Sequence, residues 1–194
     1  MSPHMMDYPL LLSTLYDRAV MLFADREIVS VEADGSRHRT TYGETDDRVR
    51  RLASALGRFG VGRGGVVGTF GWNTHRHHEL YWATANTGRV CHTLNIRLFP
   101  EQLTYIINHA EDEVLFVDAS LAPLIAPIQH ELPTVRHWVV MDGDPAASGL
   151  EGAVGYEELL AESEPTGHWP AVDERSPMMF CYTSGTTGNP KGVA

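Results

Sequence analysis

The sequence predicts an α/β fold, a mostly parallel sheet flanked by helices, on three observations. Short apolar segments alternate with longer segments of helical period along most of the chain. The short segments, such as Val66–Phe70 and Val114–Val117, are apolar in the manner of strands covered by helices. The chain has 194 residues with 43% hydrophobic content, enough for one sizeable core or part of a larger one.

Leu12, Leu15, Ala19 and Leu22/Phe23 recur at spacings of three and four, predicting an amphipathic helix from about Leu11 to Phe23 that packs on a core. Its polar face lacks the lysine and arginine lining of a membrane-surface helix. Glu27–Glu32 and Arg37–Tyr42 flank Asp34-Gly35 and read as a β-hairpin. From Glu44 to Phe59, the spacing of Val49, Leu52, Ala53, Leu56 and Phe59 predicts a helix. Acidic residues open it and Gly60 closes it. Val66–Phe70 is the next strand and Thr74–Thr87 the next helix, with Leu80 and Ala83 on its core side. His75, His77 and His78 lack the i, i+4 spacing of a helical zinc site, so the expectation for this cluster is a solvated helix start.

Arg89–Leu94 follows as a strand. Pro100 suits a first helical position, and Leu103, Ile106, Ile107 and Ala110 continue that helix. Glu113–Asp118 and His137–Met141 are strands, separated by a helix over Leu121–Leu132 bent near Pro123 and Pro127. A surface loop to Gly155, a short helix Tyr156–Ser163 and an extended connection Glu164–Pro177 lead to a last apolar strand, Met178–Tyr182.

Composition excludes several function classes. The net charge is −10, and the acid-rich stretch from Asp142 to Ser176 would repel a phosphate backbone, so nucleic acid is not expected as a partner. Cys91 and Cys181 form neither a disulfide framework nor a Cys-x-x-Cys pair, which fits a reducing, cytoplasmic setting. No run reaches transmembrane length and no secretory signal is evident.

The chemistry concentrates in the loop that the last strand delivers, Thr183-Ser184-Gly185-Thr186-Thr187-Gly188-Asn189-Pro190-Lys191-Gly192. Glycines let the backbone turn tightly and bring its N–H groups against an anion. The hydroxyls of Thr183, Ser184, Thr186 and Thr187 add donors for phosphate oxygens or a ligand for magnesium. Lys191 is the only lysine among the 15 Lys and Arg residues, a compact point charge in a chain that otherwise uses arginine. The Gly-Lys-Ser/Thr ending of a Walker A loop is absent, so the spacing points to polyphosphate without pointing to that motif.

The run from Tyr182 to Val193 resembles the signature loop of the adenylate-forming enzymes, the superfamily of acyl-CoA synthetases, peptide-synthetase adenylation domains and beetle luciferases. Thr41-Tyr42-Gly43-Glu44 through Leu56, Gly60-Val61 and Gly64 resembles an earlier block of the same family. It departs at Gly65, where the family commonly has an acidic residue; the expectation is a variation in a turn. Gly88 through Asn95, Pro100–Leu103 and Asn108-His109-Ala110 resemble a further block in the form typical of fatty-acyl-CoA ligases.

The resemblance implies an incomplete N-terminal part of that family's large domain. Residues 9–194 would be a partial AMP-binding domain ending after the phosphate loop, and residues 1–8 a tag or disordered start. It implies ATP-dependent activation of a carboxylic acid, most plainly a fatty acid, to an acyl-adenylate and then to an acyl-CoA, with AMP and pyrophosphate released. ATP, Mg2+ and coenzyme A are the implied cofactors and co-substrates. Thr183, Ser184, Gly185, Thr186, Thr187 and Gly188 would hold the phosphates, Thr183 would also approach magnesium, and Lys191 would steady the loop as it orders around ATP. No catalytic residue falls within the fragment, which alone is expected to be inactive. The alternatives are adenylation of an aryl or amino acid, an assembly module that forms a homodimer through its N-terminal region, and an unrelated nucleotide hydrolase.

Overall fold

The structure, a computed structural model, describes residues 8–183 and 189–194. Its elements follow the predicted alternation: α1 (Leu12–Phe23), β1 (Glu27–Val31), β2 (Arg37–Thr41), α2 (Tyr42–Arg58), β3 (Val66–Phe70), α3 (His75–Ala85), β4 (Val90–Thr93), α4 (Pro100–Ala110), β5 (Asp112–Val117), α5 (Ala122–Ile125), β6 (His137–Val140), β7 (Val154–Gly155), α6 (Tyr156–Ala161), β8 (Met179–Thr183) and β9 (Lys191–Val193). β1 and β2 form the expected antiparallel hairpin. The other seven strands form one sheet in the order β7-β6-β5-β3-β4-β8-β9, parallel except for the β8–β9 pair. This confirms the α/β class read from the sequence.

The sheet is covered on both sides. Val67, Val114, Phe116, Val139 and Met141 pack with Leu52 and Leu56 of α2, Leu80 of α3 and Leu159 of α6. Phe70, Leu115, Val117, Trp138 and Val140 pack on the other side with Leu103, Ile106 and Ile107 of α4 and Ile125 of α5. That double burial is why β3 shows no polar–apolar alternation: all five of its residues are buried.

Local chemistry explains the element boundaries. α2 begins two residues before the expected start because Thr41 and Glu44 form a capping box, Thr41 Oγ1 accepting from the Glu44 N–H at 3.2 Å and Glu44 Oε2 from the Thr41 N–H at 2.8 Å. The helix expected over Leu121–Leu132 stops at Ile125 and continues as a 3₁₀ turn over Ala126–Glu131, where Pro127 removes an α-helical donor. α4 ends at Glu111, the only non-glycine with positive φ among the described residues. The chain therefore turns from helix to strand within a single residue.

Three expectations need correction. In α1 the core-facing side is rotated: Tyr16 is the buried residue, while Leu15, Leu22 and Phe23 are exposed. Tyr16 wins because its ring packs against Trp82 and Trp169, with centroids 4.9 and 6.1 Å away. The histidines opening α3 are not solvated. His75 and His77 are buried and His78 half-buried, because each meets a polar partner inside: Glu32 at 3.0 Å from His75 Nδ1, Thr69 Oγ1 at 2.7 Å from His77 Nε2, and the Trp82 indole N–H donating to His78 at 3.2 Å. Gly65 is more than a turn variation. A Cβ there would lie 2.5 Å from Glu113 Oε1 and 2.8 Å from Val61 Cγ1, so the space of a side chain is already occupied.

Candidate phosphate-binding site

The loop leaves the fold at the edge where a parallel sheet binds ligands. β8 runs parallel to β4, so Thr183 stands at the carboxyl end of its strand, alongside the carboxyl ends of β3, β4, β5 and β6. In open α/β sheets that end is where crevices for ligands form. The chain returns as β9, antiparallel to β8, with Cys181 facing Val193, Tyr182 facing Gly192 and Thr183 facing Lys191. The site is thus the connection of a β-hairpin, and Thr183 and Lys191 are cross-strand neighbours at its base. Both are exposed. Ser184, Gly185, Thr186, Thr187 and Gly188 lie outside the described residues.

Pairing a threonine with a lysine across one register position puts a hydroxyl donor and a positive charge on neighbouring strands at the loop mouth. A magnesium ion fits such a mouth only as a guest of the phosphates: Thr183 offers a single oxygen, and Mg2+ keeps most of its ligands as water and phosphate oxygens. Among the described residues, no group of three or more His, Cys, Asp or Glu could hold a metal ion by itself.

Sequence reasoning missed the groups that sit under the hairpin. Tyr182 Oη lies 2.7 Å from His109 Nδ1 on the last turn of α4. Its ring tilts over His92 of β4, centroid to centroid 5.0 Å. His92 Nδ1 in turn donates to both carboxylate oxygens of Asp112, at 2.8 and 3.0 Å, and neither residue has any solvent exposure. Burial pushes the Asp112 carboxyl up to about 6, against the lowering effect of the His92 hydrogen bond. The one signal in the sequence was an imidazole, His92, inside an otherwise apolar strand. Below Tyr182 the α4-side face of the hairpin opens on a cleft of about 400 Å³ lined by Val66, His109, Glu111, Phe180, Tyr182 and Gly192.

A second polar cluster lies on the other side of the sheet. Glu79 of α3 is fully buried and accepts from Arg48 Nε at 2.7 Å and from the Tyr156 hydroxyl at 2.6 Å. Arg48 reaches on to both oxygens of Glu157, Arg76 joins Glu157 to Glu32, and Glu32 meets His75. Burial raises the Glu79 carboxyl. Burial also opposes the charge of Glu157, but its bonds to Arg48 and Arg76 win and hold it below the usual carboxylate range. This network ties the hairpin β1–β2, α2, α3 and α6 together.

Comparison with known proteins gives a consistent result. Residues 16–194 match the family described as AMP-binding enzyme. The chain is 48% identical over 97% of its length to a 3-methylmercaptopropionyl-CoA ligase of Ruegeria lacuscaerulensis, of which it covers 35%. It is 44% identical to a medium-chain-fatty-acid–CoA ligase of Ectopseudomonas oleovorans, again over 97% of this chain and 35% of that protein. To a long-chain-fatty-acid–CoA ligase of Thermus thermophilus it is 47% identical over 97% of this chain and 34% of the relative. Among solved structures, an anthranilate CoA ligase in complex with anthranoyl-AMP superposes with a TM-score of 0.86 at 24% identity, covering 96% of this chain and 35% of that one; this likeness concerns the fold. The chain therefore spans about a third of the length of the curated relatives it matches.

Proposed function

Because the chain belongs to the AMP-binding enzyme family, we propose that it is the N-terminal part of an AMP-forming ligase joining an aliphatic carboxylic acid to coenzyme A. The observation that carries this reading is the placement of the loop. A glycine- and hydroxyl-rich hairpin connection leaves β8 at the carboxyl edge of the parallel strands, with Thr183 and Lys191 paired across its base. The names of the relatives, which span methylmercaptopropionyl, medium-chain and long-chain acids, support an aliphatic acyl group over an aryl or amino acid.

In this reaction the substrate carboxylate attacks the α-phosphate of ATP, and the bond to the β-phosphate breaks. Negative charge builds on the departing pyrophosphate, and the role of the loop is to meet it. Backbone N–H groups and the hydroxyls of Ser184, Thr186 and Thr187 donate to the β- and γ-phosphate oxygens, with Gly185 and Gly188 allowing the close approach. Lys191 adds a fixed positive charge at the base. Thr183 is the residue that would approach Mg2+, which would supply further charge neutralisation. The thiol of coenzyme A then displaces AMP from the acyl-adenylate. Residues 9–194 are in this reading a partial AMP-binding domain, and the groups that hold adenine and ribose belong to other parts of the protein.

The test is pyrophosphate release from Mg-ATP across a panel of fatty, sulfur-containing aliphatic, aryl and amino acids, with and without coenzyme A, in the whole protein and in residues 1–194 alone. The expected result is release with aliphatic acids that rises with coenzyme A in the whole protein and is absent from the shorter chain. Release independent of any acid would mean a nucleotide hydrolase. A second reading, a homodimer joined through the N-terminal region, is supported by the exposed apolar residues Leu15, Met21, Leu22 and Phe23 of α1. Light scattering decides it, since a strictly monomeric protein excludes that interface.

A further inference from the structure

The strand that delivers the loop packs through Phe180 and Tyr182, and at its loop end it is gripped by Tyr182. On one side its ring lies across β9: a Cβ on Gly192 would meet Tyr182 Cζ at 3.1 Å, Oη at 3.2 Å and Cε1 at 3.3 Å, so the ring occupies the space a side chain at 192 would need. On the other side the ring meets His92 at 5.0 Å and the edge of His109 at 5.8 Å, with an interplanar angle of 89° to His109. Its hydroxyl ends 2.7 Å from His109 Nδ1, within hydrogen-bonding distance. One phenol therefore touches β9 through its ring, β4 through His92 and α4 through its hydroxyl.

His92 is itself held by an unusual crossing. Asp112 sits on β5 and His92 on β4, with β3 between them. The position of β3 paired with His92 is Gly68, where a Cβ would lie 2.6 Å from Asp112 Oδ2 and 2.5 Å from Leu115 Cδ1. The missing side chain opens the passage through which the carboxylate reaches the imidazole. The sharp turn at Glu111 then places His109 and Asp112, the two ends of this arrangement, within three residues of each other.

We propose that Tyr182, backed by His109 and by the His92–Asp112 pair, is a positioning residue for the phosphate loop. Side chains alternate along a strand, so Tyr182 anchored on the α4 side fixes the rotation of β8 that aims Thr183 to the opposite side. Through the Tyr182–Gly192 pairing the same ring fixes β9, and with it Lys191. A phenylalanine would fill the same volume and keep the ring contacts; the hydroxyl adds the hydrogen bond between the hairpin and α4, which is the use of an aromatic ring with a polar end. The inference rests on the reading of the loop as the binder of ATP phosphates.

The experiment compares Tyr182→Phe, His109→Ala, the double variant and Gly192→Ala with the wild type in the whole protein. It measures KM for Mg-ATP, KM for the acid and kcat in pyrophosphate release, thermal midpoints, and amide exchange of Lys191–Val193. Loss of the hydroxyl is expected to raise KM for Mg-ATP about 2- to 10-fold, the worth of one hydrogen bond, with KM for the acid and the thermal midpoint little changed. The double variant should match the worse single, since both break one contact. Gly192→Ala, which requires the ring to shift by a few tenths of an ångström, should give a rise of the same kind.

A fall in thermal midpoint with unchanged ATP parameters would overturn the proposal and leave Tyr182 a packing residue. If the wild type itself shows no acid-dependent pyrophosphate release, the ligase reading fails instead. The grip on the hairpin is then judged by exchange alone: faster exchange of β9 in Tyr182→Phe supports it, and unchanged exchange overturns it.

Discussion

The Glu79 network and the β8–β9 hairpin are both built from titratable and aromatic side chains, yet they are put to opposite uses. Around Glu79 every charge is answered at close range: Arg48, Tyr156, Glu157, Arg76, Glu32 and His75 form a continuous chain between buried elements. At the hairpin, β8 is only partly covered and β9 is exposed along its length. Its side-chain anchors are few, chiefly Phe180 and Tyr182, while Thr183 and Lys191 are exposed. The contrast separates a region that fixes the fold from one that the fold merely holds in place. The proposed role in holding phosphates would need a firm base and free donors, and a fully satisfied network would leave none free.

The largest effect is expected where the network is broken at its centre. Glu79→Ala leaves the Arg48 guanidinium and the Tyr156 hydroxyl without their buried partner and should cost about 3–5 kcal/mol of stability, read from denaturant unfolding. A loss under about 1 kcal/mol would show that the network is replaceable and that the contrast with the hairpin is one of exposure alone.

An intermediate effect follows from pH. Burial, the neighbouring Arg76 charge and the stacked His38 ring push the His75 imidazole down from 6.5 to about 4, although Glu32 at 3.0 Å pulls the other way. The folded state therefore refuses a proton that the unfolded chain accepts. The stabilisation is fully present above about 6.5 and is lost as pH falls toward 4, by on the order of 2 kcal/mol. His75→Gln should flatten that part of the stability profile; an unchanged profile would locate the acid sensitivity elsewhere.

The smallest effect on stability belongs to the loop base. Lys191→Ala and Thr183→Val should each change unfolding free energy by less than about 0.5 kcal/mol, as exposed substitutions do, yet slow acyl-adenylate formation in the whole protein. Unchanged adenylate formation would remove that residue from the site. A large loss of stability would instead make the hairpin part of the structural region and erase the comparison.

The local code was sufficient for the architecture. Apolar strands of the β3 type, helices with Leu and Ile at helical spacing, Pro100 at a helix start and Pro127 at a helix break each carry their reason within a few neighbouring residues. The capping box of Thr41 and Glu44 was equally available, because its partners stand three residues apart. The loop proposed to bind phosphate stands out for the same reason, since its glycines, hydroxyls and lysine are contiguous. The rotated face of α1 was not, because Leu15 and Tyr16 are both plausible core residues until Trp82 and Trp169 are brought to one side of the helix.

What the sequence by itself determined is the α/β fold and the order of its elements, and it singled out the glycine- and hydroxyl-rich stretch for which phosphate binding is proposed, all consequences of spacing along the chain. Tertiary structure alone decided that the His75 and His77 side chains are buried, that Gly68 is a passage for Asp112, and that Tyr182 is seated among His92, His109 and Gly192. Those contacts join residues from separate strands and helices, and their energies depend on burial and distance, which exist only once the sheet has brought the segments together.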